Sequence, residues 1–298
     1  MSAGERLPGT PVPMLTWPGA DGLEIAGDAW GNPGRRIVTL LHGGGQTRHA
    51  WKNTGETLAA AGYRAIAFDA RGHGDSGWAD NADDYTGEKM VEDLQAVLKA
   101  EGAEKPAVAG ASMGGGTCLL GVGNGLIDAA ALVLVDIAPK VEPDGVAKIQ
   151  AFMNQKPDGF DSLEEVAEAI ANYQPHRKRP RKLDGLAKNV RIGANGKYVW
   201  HWDPKRRQAR ANASGVTPYR ERLSLAADRL TVPTLLVRGG LSDVLSEDGA
   251  QSFLKQVPHA EYVNVKNAAH MVAGDKNDMF ADSVIDFLKR TAPPFNAA

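Results

Sequence analysis

Cysteine, an excess of charge of either sign and long apolar runs are all scarce in this chain, and each shortage closes off a class of protein. A single cysteine among 298 residues, Cys118, has no intrachain partner, so no internal disulfide framework holds the fold. Thirty-four Lys and Arg stand against 36 Asp and Glu, giving a formal net charge of −2. Sequence-independent nucleic-acid affinity needs a basic surface that usually lifts a domain's pI above about 9, whereas the value here is near 6.4. No run of about 18 apolar residues is present to cross a bilayer. The opening Met1-Ser2-Ala3-Gly4-Glu5-Arg6 lacks the apolar core of a secretory signal. The expectation is a cytoplasmic protein with neither nucleic acid nor membrane as a partner. Its oligomeric state is open, a homodimer included.

What is abundant is glycine, 34 residues, and short aliphatic runs that end on Gly or Pro. The runs Arg36–Leu41, Ala65–Asp69, Pro106–Ala111, Ala131–Asp136, Pro233–Arg238 and Ala260–Val265 have the continuous apolar character of strands buried on both faces. They alternate with helical patterns such as Lys89–Glu101 and Lys276–Arg290, so βαβ crossovers and a doubly wound α/β sheet follow. Met14–Trp17 and Leu23–Trp30 flank a turn-forming Pro18-Gly19-Ala20-Asp21-Gly22 and predict an antiparallel hairpin at a sheet edge. The strand rhythm lapses between Asp136 and Pro233. Over residues 141–230 there are 17 basic and 11 acidic side chains, a balance of +6, which leaves −8 for the rest. This insertion includes a helix predicted over Ser162–Tyr173, capped by Ser162 with Glu165 three residues on.

The chemistry gathers around Gly110-Ala111-Ser112-Met113-Gly114-Gly115, which follows a predicted strand and leads into the apolar Thr117-Cys118-Leu119-Leu120. Glycines on both sides of a serine let a strand and a helix meet at a sharp turn, leaving the hydroxyl exposed above the sheet. A hydroxyl is a weak nucleophile near neutral pH. It needs an imidazole to take its proton, and the imidazole needs a carboxylate to fix its tautomer and stabilise its cation. Ser112, Asp243 and His270 supply these types in the expected chain order, with Asp243 just beyond the strand ending at Arg238 and His270 just beyond the one ending near Val265. The rival carboxylate is Asp136, which also ends a strand. Asp243 is preferred because it follows the later strand in a loop long enough to bend toward His270.

His42-Gly43-Gly44-Gly45 follows another strand, and its Gly44 amide with that of Met113 would receive the oxyanion of a tetrahedral intermediate. His42 reads as structural, and His49, His176, His201 and His259 as ordinary polar residues. Asp69-Ala70-Arg71-Gly72-His73-Gly74-Asp75-Ser76 reads as a loop locked by its own hydrogen bonds, with Asp69 and Arg71 available to pair. Cys118 is expected to be buried and unreactive.

Taken together, these motifs resemble the α/β-hydrolase superfamily, in particular its lidded serine-hydrolase branch. The resemblance covers all but the insertion. It implies the α/β-hydrolase fold, with an eight-stranded, mostly parallel sheet flanked by helices, and a helical cap inserted after strand six. The core would span 1–139 and 231–298, and the cap 140–230. The resemblance also carries nucleophile, acid and base onto Ser112, Asp243 and His270. The pattern is similar to carboxylesterases, perhydrolase-like proteins and carbon–carbon bond hydrolases of ring-cleavage products. Serine at the elbow argues against epoxide hydrolases and haloalkane dehalogenases, which use an aspartate whose alkyl ester water can cleave; serine would leave a stable ether. The expected activity is a serine carboxylesterase acting on a small-molecule ester, without a cofactor or metal. Carbon–carbon bond hydrolysis and a non-enzymatic receptor on the same fold are the alternatives. In the cap, Trp200 and Trp202 are candidates for an apolar substrate wall. The basic His176-Arg177-Lys178-Arg179-Pro180-Arg181-Lys182 and Lys205-Arg206-Arg207 read as solvated surface in preference to a guide for anionic substrates.

Overall fold

In the computed structural model, residues 4–173, 183–206, 217–266, 268–270 and 278–295 are described. In chain order the strands are β1 (Glu5–Arg6), β2 (Leu15–Pro18), β3 (Glu24–Trp30), β4 (Ile37–Leu41), β5 (Arg64–Phe68), β6 (Ala107–Ala111), β7 (Ala131–Val135), β8 (Val190–Ile192), β9 (Tyr198–Trp200), β10 (Thr234–Gly239) and β11 (Glu261–Val265). The helices are α1 (Lys52–Ala60), α2 (Gly87–Ala100), α3 (Met113–Gly123), α4 (Pro143–Asn154), α5 (Leu163–Tyr173), α6 (Tyr219–Asp228), α7 (Glu247–Gln256) and α8 (Asp278–Thr291). Among the described residues no helix is long and apolar enough to cross a membrane.

Eight strands form one sheet in the order β11-β10-β7-β6-β4-β5-β3-β2. β2, β3 and β5 pair antiparallel in succession, and the remaining ladders are parallel. The central strands β4, β6, β7 and β10 are buried at every position, as their unbroken apolar sequences require of strands covered by helices on both faces. Their C-terminal ends release the loops after Leu41, Ala111, Val135 and Gly239 on one edge of the sheet, the edge where open α/β sheets build their sites. The predicted hairpin is present as β2 and β3, with β2 on the sheet edge. The expected capped helix is α5: Ser162 Oγ accepts from Glu165 N–H at 3.2 Å, and the Glu165 carboxylate accepts from Asp161 N–H at 3.2 Å.

Between β7 and β10 the chain leaves the sheet, and here the structure differs from the sequence reading in two ways. The inserted segment, expected to be a helical cap, contributes β8 and β9 to a three-stranded antiparallel sheet, β1-β8-β9, whose first strand comes from near the start of the sequence. Leu7, Phe160, Val166, Ala187, Val190, Trp200 and Trp202 form a small core beneath it. Near the end of the inserted segment, α6 packs on α3, and Leu223, Ala226, Ala227 and Leu230, expected to lie in the cap, belong to the main core. α3 is apolar all round and buried, so it needs covering on the side away from the sheet, and α6 supplies that cover.

The loop after β5 is locked by its own hydrogen bonds, with Asp75 N–H donating to Asp69 Oδ2 at 2.9 Å and the Ser76 hydroxyl to the Asp69 carbonyl at 2.6 Å, and also by partners outside it. Asp69 accepts from Arg48 Nη1 at 2.6 Å and from Arg48 N–H at 2.7 Å, with neither side chain exposed. Arg71 makes a two-pronged contact with Asp93, at 2.6 and 2.8 Å. Burial alone would raise the Asp69 carboxyl, but Arg48 and the neighbouring N–H donors outweigh it and hold the group ionised. Removing one member of such a buried pair typically costs about 3–5 kcal/mol, because its partner is left charged and dry.

Candidate active site

Ser112 leaves β6 with φ 48° and ψ −111°, a conformation rare for a residue with a side chain, and α3 begins at the next residue. Such a backbone costs on the order of 1–3 kcal/mol and persists only where its surroundings enforce it. They do so here: a Cβ on Gly110 would overlap the Gly114 and Gly115 backbone, and one on Gly114 would overlap Leu41. The sequence therefore places glycine where strand and helix touch. Ser112 N–H donates to the Val135 carbonyl at 3.0 Å, so Ser112 and Asp136 emerge side by side from adjacent strands.

Asp136 is also strained, with φ 53°, and is fully buried. Its Oδ1 accepts from Gly239 N–H at 2.9 Å. Its Oδ2 accepts from His270 Nδ1 at 2.6 Å and from the Ser242 hydroxyl in a short contact. A carboxylate on Nδ1 fixes the imidazole tautomer with Nε2 as the acceptor nitrogen. Ser242 is held in turn by Val244 and Leu245 N–H, which donate to its Oγ at 3.1 and 3.2 Å.

The structure therefore corrects the assignment of the carboxylate to Asp243. The Asp243 side chain is 54% exposed and pairs with Lys148 Nζ of α4 at 3.0 Å, while His270 is bound to Asp136. The cause is local: Ser242 fills the inward position of the loop after β10, and the next residue points out to solvent. Ser242 is a residue that sequence reasoning passed over; its position between Gly239 and Asp243 was its one signal.

The two expected oxyanion donors flank the elbow. Met113 opens α3, where N–H groups have no intrahelical acceptor. The Gly43-Gly44-Gly45 turn lies opposite, with the Cβ position of Gly43 3.4 Å from Ser112 Cβ. Above the turn, Met153 Sδ lies 3.7 Å from the Cβ position of Gly44, and the Trp202 ring lies 3.6 Å from that of Gly45. Trp202 Nε1–H donates to the Met153 carbonyl at 3.2 Å. Of the two tryptophans, Trp202 thus roofs the turn, while Trp200 stacks behind it at 4.8 Å and packs on Phe160. Both are buried.

Lys205 Nζ donates to the Ala79 carbonyl, and Arg206 donates to the Arg71 carbonyl at 3.1 Å and reaches Met113 Sδ at 2.9 Å. These two are built into contacts with Arg71, Ala79 and Met113, unlike the solvated surface expected of them. Residues 176–182 and Arg207 lie outside the described residues. Cys118 is buried in α3, and burial pushes its thiol up, away from the reactive thiolate.

The family described as serine aminopeptidase, S33, matches residues 32–277. The chain is 29% identical over 259 residues to the esterase Rv0045c of Mycobacterium tuberculosis, covering 83% of this chain and 80% of that protein. It is 29% identical over 296 residues to the non-heme chloroperoxidase CPO-A1 of Kitasatospora aureofaciens, covering 91% and 98%. Among solved structures, an alpha/beta hydrolase from Novosphingobium aromaticivorans superposes with a TM-score of 0.78 at 26% identity, covering 97% of this chain and 99% of that one. With the family matched over most of its length and the fold matched throughout, the chain belongs to the serine aminopeptidase S33 family of α/β hydrolases.

Proposed function

We propose that the protein is a serine hydrolase of small-molecule carboxylic esters, with Ser112 as nucleophile, His270 as base and Asp136 as the carboxylate that orients and stabilises it. The observation that carries this reading is the strained Ser112 turn beside the buried Asp136 that binds His270. In the proposed cycle, Ser112 Oγ attacks the ester carbon while His270 Nε2 takes the hydroxyl proton. The carbonyl π electrons move to oxygen, and the oxyanion meets the Gly44 and Met113 amides. The tetrahedral adduct collapses, the carbon–oxygen bond to the alcohol breaks, and His270 returns the proton to the departing alkoxide. Water, deprotonated by the same nitrogen, then attacks the acyl carbon, and as the bond to Ser112 breaks His270 returns that proton to Ser112 Oγ and the acid is released.

The esterase similarity supports an ester as substrate. Met153 and Trp202 above the Gly44 turn support an apolar acyl group beneath the cap. The mechanism calls on no cofactor.

The test joins labelling to turnover. A fluorophosphonate is expected to modify Ser112 in the wild type, located by peptide mass mapping. Ser112→Ala is expected to lose the label and to lose p-nitrophenyl butyrate turnover by at least about 10³-fold. Retained labelling or turnover in Ser112→Ala would overturn the reading.

A further inference from the structure

Three buried histidines from separate parts of the chain line up behind the Gly43-Gly44-Gly45 turn. His42 follows β4, His73 lies in the loop after β5, and His201 follows β9 in the cap. Their ring centroids are 5.1 Å apart for His42 and His73, and 5.9 Å apart for His73 and His201. Every ring nitrogen meets a backbone group, which settles all three tautomers. His42 Nε2 accepts from Ala70 N–H at 2.9 Å, so its Nδ1 donates to the Gly43 carbonyl at 2.8 Å. His201 Nδ1 accepts from Gly74 N–H at 2.9 Å, so its Nε2 donates to the Gly45 carbonyl at 3.3 Å. His73 Nε2 accepts from Gly45 N–H at 3.3 Å, so its Nδ1 donates to the Arg71 carbonyl at 3.3 Å. Burial holds all three rings neutral, below the usual histidine range and for His201 down to about 3, as these mixed donor and acceptor roles require.

The effect falls on one amide. Gly43 N–H is taken by Gln46 Oε1 at 2.9 Å, the Gly43 carbonyl by His42, and both polar groups of Gly45 by His73 and His201. Gly44 N–H, between them, has no acceptor among the described residues. A glycine turn has wide conformational freedom, so an oxyanion donor placed on one needs outside restraint to be preorganised.

We propose that His201, acting with His73, is a positioning residue that clamps Gly45 from the cap side and so aims the Gly44 amide at the oxyanion. The proposal rests on the serine-hydrolase reading above. The cap is then part of the catalytic apparatus as well as a roof. Its β8 strand is tied to the same region by Arg191 Nη2, which donates to Asp75 Oδ1 at 2.9 Å one residue from Gly74.

The test uses His201→Phe, which keeps a ring but makes neither hydrogen bond, and His201→Gln, which returns a donor toward the Gly45 carbonyl. Measured are Tm, kcat and KM for p-nitrophenyl butyrate, and the affinity for a trifluoromethyl ketone whose tetrahedral adduct places an oxygen in the oxyanion site. His201→Phe is expected to lose kcat and ketone affinity in parallel, on the order of 10- to 100-fold, with KM within about 2-fold. His201→Gln is expected to recover most of both. If His201→Phe fails to fold, the parallel loss is read from His201→Leu, which also makes neither hydrogen bond, and the recovery from His201→Gln. A folded variant with unchanged kcat, a loss confined to KM, or a loss of kcat without loss of ketone affinity would overturn the proposal while leaving the hydrolase reading intact. A wild type that neither turns over the ester nor binds the ketone would overturn both.

Discussion

Asp136 and Asp243 leave neighbouring parallel strands of one sheet, β7 and β10, yet one is buried with three donors on its carboxylate and the other is solvated beside a lysine. In sequence the two are close equivalents: each follows an aliphatic strand on the edge that carries the site. What separates them is which side chain of each loop turns inward. The loop after β7 turns inward at Asp136 itself, with a positive φ that costs energy and aims the carboxylate at His270. The loop after β10 turns inward at Ser242 and supports Asp136 in place of competing with it. Position at a strand end is therefore a weaker guide to an orienting carboxylate than its supply of buried donors.

Three substitutions would break or sharpen this contrast. Asp136→Asn should be the most damaging, lowering kcat on the order of 10³- to 10⁴-fold with KM little changed, because the amide can present an N–H to Nδ1 and favour the wrong tautomer. Steady-state kinetics on a p-nitrophenyl ester measure it, and a larger loss in Asp243→Asn would reverse the assignment. Ser242→Ala comes next, with an expected loss of about 3- to 30-fold in kcat/KM, the range of a lost supporting hydrogen bond. Without that donor the carboxylate is less well stabilised. The same assay measures the loss, and an unchanged kcat/KM would contradict the arrangement. Asp243→Asn should do least, leaving kcat/KM within about 2-fold. Its exposed pair with Lys148 is worth no more than about 1 kcal/mol, and less at high salt, which a thermal melt in low and high salt would show.

Much of this architecture was legible in the sequence, for reasons of unequal strength. The elbow was readable because glycine is demanded wherever two backbones touch, and Gly110 and Gly114 report that demand directly. The parallel strands were readable because burial on both faces leaves no room for polar alternation, as in Ala131–Val135. The carboxylate was misread because loop length says where a chain reaches, not which of two consecutive side chains points inward. The small sheet was invisible because β8 and β9 have three residues each, too short for any period, and β8 pairs with a strand near the start of the sequence. The histidine row was missed for a related reason. His42, His73 and His201 each look unremarkable alone, and only the fold stacks them.

The pairing of β1 with β8 bears on how the segment between β7 and β10 could be exchanged between proteins. An insertion joined to its host at two crossings is a cassette, removable by two cuts. This one has a third attachment, reinforced by Arg6 Nη1, which approaches Asp75 Oδ2 at 3.8 Å. Grafting the segment onto another scaffold would therefore strand β8 with a bare edge unless Glu5 and Arg6 travelled with it, and a chimaera spliced only at the two obvious joints would carry an open ladder inviting pairing with a foreign chain.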